Sequence, residues 1–199
     1  MNYLAHAFLS HHQEGLLVGN FIADHIRGNK LLDYPEEIQQ GIRLHRAIDH
    51  YTDTHEEFKK CKRLFYDGFE KYSGILVDIY FDYFLASGFE IHSEMALPDF
   101  SESVYKVYIK HVNLLPEHSS RFLNYVLQNN IYNAYAHMDG IEKVLYHLSH
   151  RINHGTMLQQ SLSIMQTHET EIQERFNRFF HDIKHEFALN SVNKIIPKI

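Results

Sequence analysis

SGILVDIYFDYFL, residues 73–85, is apolar at every position from Ile75 to Leu85 except Asp78 and Asp82. The two aspartates are four residues apart, so a helix would carry them on one face, one turn apart. The run predicts a central helix, buried on most sides, with two acids along one line. A carboxylate is rarely buried without a partner, and an unpaired buried charge is costly. Asp78 and Asp82 therefore need a metal, histidines or arginines beside them; alternatively their stripe faces water or makes plain salt bridges.

Outward from this run the apolar residues keep a helical period. Leu4, Phe8 and Leu9 set up a short first helix, ended by His11–Gly15. Leu16, Leu17, Phe21, Ile22 and Ile26 predict a second, closed by Gly28 and Asn29. Pro35, at a first helical position, opens a third that runs to about Thr52, with Glu36 and Glu37 in its first turn. A fourth carries Phe58, Leu64 and Phe65. Further helices are expected after Pro98, after Pro116, from Ile131 to Leu148, and from about Thr156 to Leu189. β-branched residues occur singly at helical spacing, which argues against a sheet. The expected fold is all-α: one domain over residues 1–190, of about seven to nine helices, with 191–199 as a tail.

The chain has 199 residues, enough for one domain with a sizeable core. Its net charge of −6 argues against nucleic-acid binding by a whole-protein positive field. No stretch approaches the roughly 18 apolar residues of a membrane span. The N-terminus lacks the basic leader and apolar core of a signal peptide. The single cysteine, Cys61, excludes an internal disulfide, suits a reducing cytoplasm and reads as a half-buried helical residue. Histidine is abundant, at 17 residues; His11, His12, His111, His118, His181 and His185 read as ordinary surface positions.

Two more i,i+4 pairs precede the central run: Asn20 and Asp24 in GNFIAD, and His45 and Asp49 in LHRAID. Gly19 allows another helix to approach closely. Arg27 follows Asp24 by three, either as a surface ion pair or as a bidentate phosphate clamp. Arg46 flanks His45, and Asp53 lies one turn past Asp49. His6 on the first helix could add a nitrogen ligand. Each pair alone is a weak signal. Together they supply nitrogen and oxygen donors without thiolates, which suits a divalent ion with open positions rather than a closed structural zinc. Such an ion beside arginines suits phosphoester hydrolysis. No P-loop, dinucleotide glycine motif or Ser-His-Asp order appears.

MNYLAHAFLS, GNFIADHIRG, GIRLHRAIDHYTD and LVDIYFDYFLA resemble, in order and spacing, the acyl carrier protein phosphodiesterase (acyl carrier protein hydrolyase) family. RFLNYVLQNN, AHMDGIEKVL and ERFNRFF extend the likeness. The resemblance implies removal of the 4′-phosphopantetheine arm from holo acyl carrier protein, on an all-helical fold related to the HD phosphohydrolases. It also implies a divalent ion, usually manganese, with magnesium, iron or zinc as alternatives. Asn20, Asp24 and Arg27 fall in the family's first motif. His45, Arg46, Asp49 and Asp53 fall in its second, Asp78 and Asp82 in its third, and His6 in its N-terminal motif. The expected ligands are Asp24, His45 and Asp78, with His6, Asp49 and Asp82 as further candidates. Arg27 and Arg46 would hold the phosphoryl oxygens, and Asp53 or a histidine would orient water or supply the leaving proton. An acidic carrier would need a basic patch, for which Arg43, Arg46, Lys59, Lys60, Lys62 and Arg63 are candidates. The rival readings are a related hydrolase for a nucleotide or small phosphoester, and a non-enzymatic helical binding protein. A di-iron helical protein is disfavoured, because its Glu-x-x-His elements are missing from the core acids.

Overall fold

In the computed structural model, which describes residues 3–152 and 157–188, the apolar run forms a helix, Ser73–Ser87, at the centre of the molecule. The described residues form helices joined by turns and short extended links, without strands. They comprise α1 (Tyr3–Phe8), α2 (Glu14–Ile22), α3 (Glu36–Thr54), α4 (Glu56–Phe69), α5 (Ser73–Ser87), α6 (Phe89–His92), α7 (Leu97–Lys110), α8 (Glu117–Gln128), α9 (Ile131–Ala134), α10 (Met138–Arg151), α11 (Ser161–Thr167) and α12 (Glu169–Glu186). α5 packs against α1, α4, α10 and α12. That enclosure explains its apolar character on nearly every side. The residues 191–199 expected as a tail lie outside the described part.

The core is aromatic. Phe81 of α5 meets Phe176 and Phe179 of α12 at ring-centroid distances of 5.5 and 5.2 Å, and Phe58 of α4 at 5.9 Å. Such pairs add edge and stacking attraction to the burial of large apolar area. Cys61 is fully rather than half buried, and burial pushes its thiol up to about 12. Glu57 ties α4 to α12, reaching Arg175 at 3.1 Å and Arg178 at 3.0 Å.

α2 and α3 make the closest helix pair. A Cβ at Gly19 would lie 2.0 Å from the Ile38 carbonyl oxygen, and one at Gly41 2.5 Å from that of Leu16. Only glycine permits this approach. It sets the helices of the first and second motifs side by side.

Three helix boundaries differ from the periodicity. α2 ends at Ile22, not near Gly28. Ala23–His25 tighten into a 3-10 turn, the Ile26 N–H bonds the Ala23 carbonyl at 3.0 Å, and Ile26 and Arg27 are extended. The expected helix from Ile131 to Leu148 is broken after Ala134. A Cβ at Gly140 would sit 2.0 Å from the Ala134 carbonyl oxygen, so the start of α10 packs directly on the end of α9. The long last helix is interrupted at His168, whose N–H bonds both Ile164 and Met165 carbonyls. Its apolar side is nevertheless buried as the pattern requires: Leu158, Met165, Ile172, Phe176, Phe179 and Phe180.

Candidate active site

α3 carries His45 and Asp49 one turn apart, and their side chains meet: His45 Nε2 lies 3.1 Å from Asp49 Oδ2. From the 3-10 turn after α2, Asp24 Oδ1 reaches the same nitrogen at 3.2 Å. The other ring nitrogen of His45, Nδ1, faces Asn20 Oδ1 at 2.9 Å. An amide oxygen accepts only, so this contact places an N–H on Nδ1 and directs Nε2 to the carboxylates. Asn20 is itself fixed, because its Nδ2 donates to the His6 carbonyl at 3.0 Å and to Ser10 Oγ at 3.1 Å.

α1 brings the second imidazole. The His6 ring stacks on His45 at 4.2 Å between centroids, and its Nε2 lies 3.2 Å from Asp49 Oδ1. One ring nitrogen each from His6 and His45 and one Asp49 oxygen lie within 4.8 Å of one another. Both histidines are buried, whereas the Asp49 side chain is 43% exposed, so the cluster opens on one side. A mixed nitrogen and oxygen donor set of this kind, open to solvent, suits a divalent cation. The Nδ1 contact of His45 with Asn20 is the outer-shell support such a ligand needs.

The electrostatics divide the two rings. Burial, and the neighbouring His45 charge, lower the His6 ring to about 4. Burial also opposes charge on His45, but the Asp24 and Asp49 carboxylates outweigh it and raise the ring to about 9. Asp49 is held well below the ordinary carboxylate range: burial works against this, and its bonds to His45 and His6 prevail. The His45 bond also lowers Asp24. Two carboxylates facing one imidazole make a strongly anionic focus for any cation.

The cluster opens into a cleft of about 300 Å³ walled by Tyr3, Phe21, Asp24, Asp53, Ile75 and Asp78 among others. Asp78 on α5 faces this cleft, and burial raises its carboxyl group. Asp53 is exposed at its edge.

Asp82 is elsewhere. It is fully buried, and both its oxygens accept backbone N–H groups at the start of α1: Leu4 N at 2.8 Å to Oδ2 and Ala5 N at 3.2 Å to Oδ1. Burial pushes it up to about 7 against these two bonds. The i,i+4 stripe of α5 is therefore split between Asp78 at the cleft and Asp82 beneath it, which caps the helix carrying His6.

The two arginines are likewise not brought into the cleft. Arg27 is exposed on extended backbone and pairs with no acid among the described residues. Arg46 Nη2 donates to the Ile26 carbonyl at 2.9 Å, bracing the turn that holds Asp24. Half of the candidate basic patch is paired within its own helices, with Arg43 on Glu36, Lys59 on Glu56 and Lys60 on Glu57, while Lys62 and Arg63 pair with no acid among the described residues. The residues missed by periodicity are Tyr3 and Ile75, apolar in the sequence and indistinguishable there from core.

The family model for acyl carrier protein phosphodiesterase matches residues 1–183. A protein named acyl carrier protein phosphodiesterase from Enterobacter sp. (strain 638) is 33% identical over 184 residues, covering 90% of this chain and 94% of the relative. Those of Klebsiella pneumoniae (strain 342) and Salmonella dublin are 33% and 31% identical over 185 residues, with the same coverage. No solved structure matches significantly.

Proposed function

The chain belongs to the acyl carrier protein phosphodiesterase family, and on that premise we propose that it hydrolyses the phosphodiester of holo acyl carrier protein, releasing 4′-phosphopantetheine and apo carrier. The observation that supports a metal-dependent reaction is the convergence of His6, His45 and Asp49, with Asp24 on the same His45 nitrogen. These residues would hold a divalent ion, manganese for preference. Bound there, it would acidify water and polarise the phosphoryl group.

The chain's own groups define the remaining roles. Asn20 holds His45 in the tautomer whose Nε2 faces the cleft. Asp82 anchors the start of α1 and so places the His6 ring. Asp53 and Asp78 line the same cleft as the imidazoles and would orient water or return a proton to the leaving serine oxygen. Arg46 acts by bracing the Asp24 turn rather than by touching phosphate.

The experiment is conversion of holo to apo carrier followed by intact mass, with Mn²⁺ and with chelator. Loss of the whole phosphopantetheine mass, only with the ion, is the expected result. A carrier that keeps its full mass in the presence of Mn²⁺ would sink the proposal.

A further inference from the structure

A second and larger cavity, about 830 Å³, adjoins the cleft and shares Tyr3, Asp24 and Ile75 with it. Its volume lies within the roughly 300–1,000 Å³ typical of pockets that enclose a small organic ligand. Ile79, Val144 and Leu148 contribute apolar wall, and Tyr125 and Tyr135 aromatic wall. Its exposed residues include His25, His118, Arg121 and Arg151. Among the described residues Arg151 pairs with no carboxylate.

One wall residue is out of place in a plain core. Tyr135 is 2% exposed, yet its hydroxyl bonds to no other described residue. The other buried tyrosines nearby are satisfied, Tyr108 and Tyr132 by each other at 3.3 Å and Tyr105 by the Tyr132 N–H at 3.0 Å. Tyr135 lines the cavity and its hydroxyl is not sealed from solvent, so a ligand held there could supply the partner.

We infer that this cavity receives the phosphate-linked organic arm of the substrate, and that Tyr135 is a positioning residue for it. This rests on the proposed reaction, in which the scissile phosphate joins a protein serine to a long, uncharged, amide-containing arm. A phosphodiester sends one substituent to each side of its phosphorus. The cleft of about 300 Å³ suits the phosphate, and the adjoining cavity is the space available for an arm. Apolar walls accept its methylene segments, the Tyr135 hydroxyl donates to an amide carbonyl, and Arg151 at the mouth, unlike Arg121, which is paired with Glu117, is the cation open to the acidic carrier.

The test uses the full chain with Mn²⁺ and two variants, Tyr135→Phe and Leu148→Trp. Hydrolysis of holo carrier is compared with that of bis(4-nitrophenyl) phosphate, a diester without such an arm. Tyr135→Phe should raise KM for holo carrier about fivefold to tenfold, with a smaller effect on kcat, as expected for one lost hydrogen bond. Leu148→Trp crowds the cavity with a larger ring, and the ratio of holo-carrier to small-diester kcat/KM should fall more than about tenfold. Wild-type ratios in both variants overturn the inference. A wild-type chain that cleaves the small diester but leaves holo carrier intact overturns instead the proposed reaction, whatever the variants do.

Discussion

His45 joins every part of the candidate centre: Asn20 holds one ring nitrogen, Asp24 and Asp49 the other, and His6 stacks on its face. Removing it removes a donor and the support of three neighbours. His45→Ala should abolish Mn²⁺ binding by calorimetry while the helical circular dichroism persists. Retained stoichiometric binding would refute the ligand set. Asp82 makes the contrasting case. Asp82→Ala leaves two buried N–H groups without acceptors, a loss of about 2–4 kcal/mol. Its melting temperature should drop by about 5–10 °C, with Mn²⁺ affinity reduced far less than by His45→Ala. An Asp82→Ala chain of normal stability that cannot bind Mn²⁺ would return Asp82 to the ligands.

Between helices, the α2 and α3 contact decides whether Asp24 and Asn20 reach His45. Gly41→Ala drives a Cβ to 2.5 Å from the Leu16 carbonyl oxygen and 2.8 Å from the Gly19 Cα. Backbone on both sides cannot yield as a flexible side chain would. A destabilisation of about 3 kcal/mol is expected by chemical denaturation, together with weaker Mn²⁺ binding because the helices must part. The α4 and α12 contact depends on charge instead. Lys60, with Arg178 and Arg175, lowers Glu57 to about 2 despite partial burial. Its folded value lies below the ordinary carboxylate range, so its stabilisation is full above about pH 4.5. It fades as pH falls towards 2. Glu57→Gln should therefore cost about 1–2 kcal/mol at pH 7 and almost nothing near pH 2. A cost equal at both pH values would show that the charge is not what stabilises this contact.

Across the whole molecule, the proposed acidic carrier would dock on a chain of net charge −6, in which Lys59 and Lys60 of α4 are paired with Glu56 and Glu57 and Arg121 at the cavity mouth with Glu117. Arg151 at the mouth, with Lys62 and Arg63 of α4, pairs with no acid among the described residues and is available for that encounter. Raising ionic strength from about 0.05 to 0.5 M shortens the screening length from about 14 to about 4 Å. KM for holo carrier should rise several-fold, while hydrolysis of a small diester changes little. A salt-independent KM would place docking on apolar contacts. No described helix is long and apolar enough to cross a membrane, as expected of a chain whose longest apolar run is interrupted twice by aspartate.

Local periodicity was enough to read the all-helical class, the buried central helix and the i,i+4 pairing of His45 with Asp49, because a helix repeats every 3.6 residues whatever surrounds it. The close approach at Gly19 was also legible, since a residue without a Cβ has few other uses inside a helix. Tertiary structure alone decided which acids share a centre. Asp78 and Asp82 lie on one stripe, yet one faces the cleft and the other caps α1, a difference made by the α1 backbone lying 77 and 78 residues away in sequence. Asp24 reaches His45 from a 3-10 turn that the apolar pattern reads as continuous helix. The second cavity is walled mainly by α5, α8 and α10, whose lining residues share no spacing or motif in the sequence that marks them as one site. Helical spacing acts over four residues, whereas a site is assembled by packing over the whole chain.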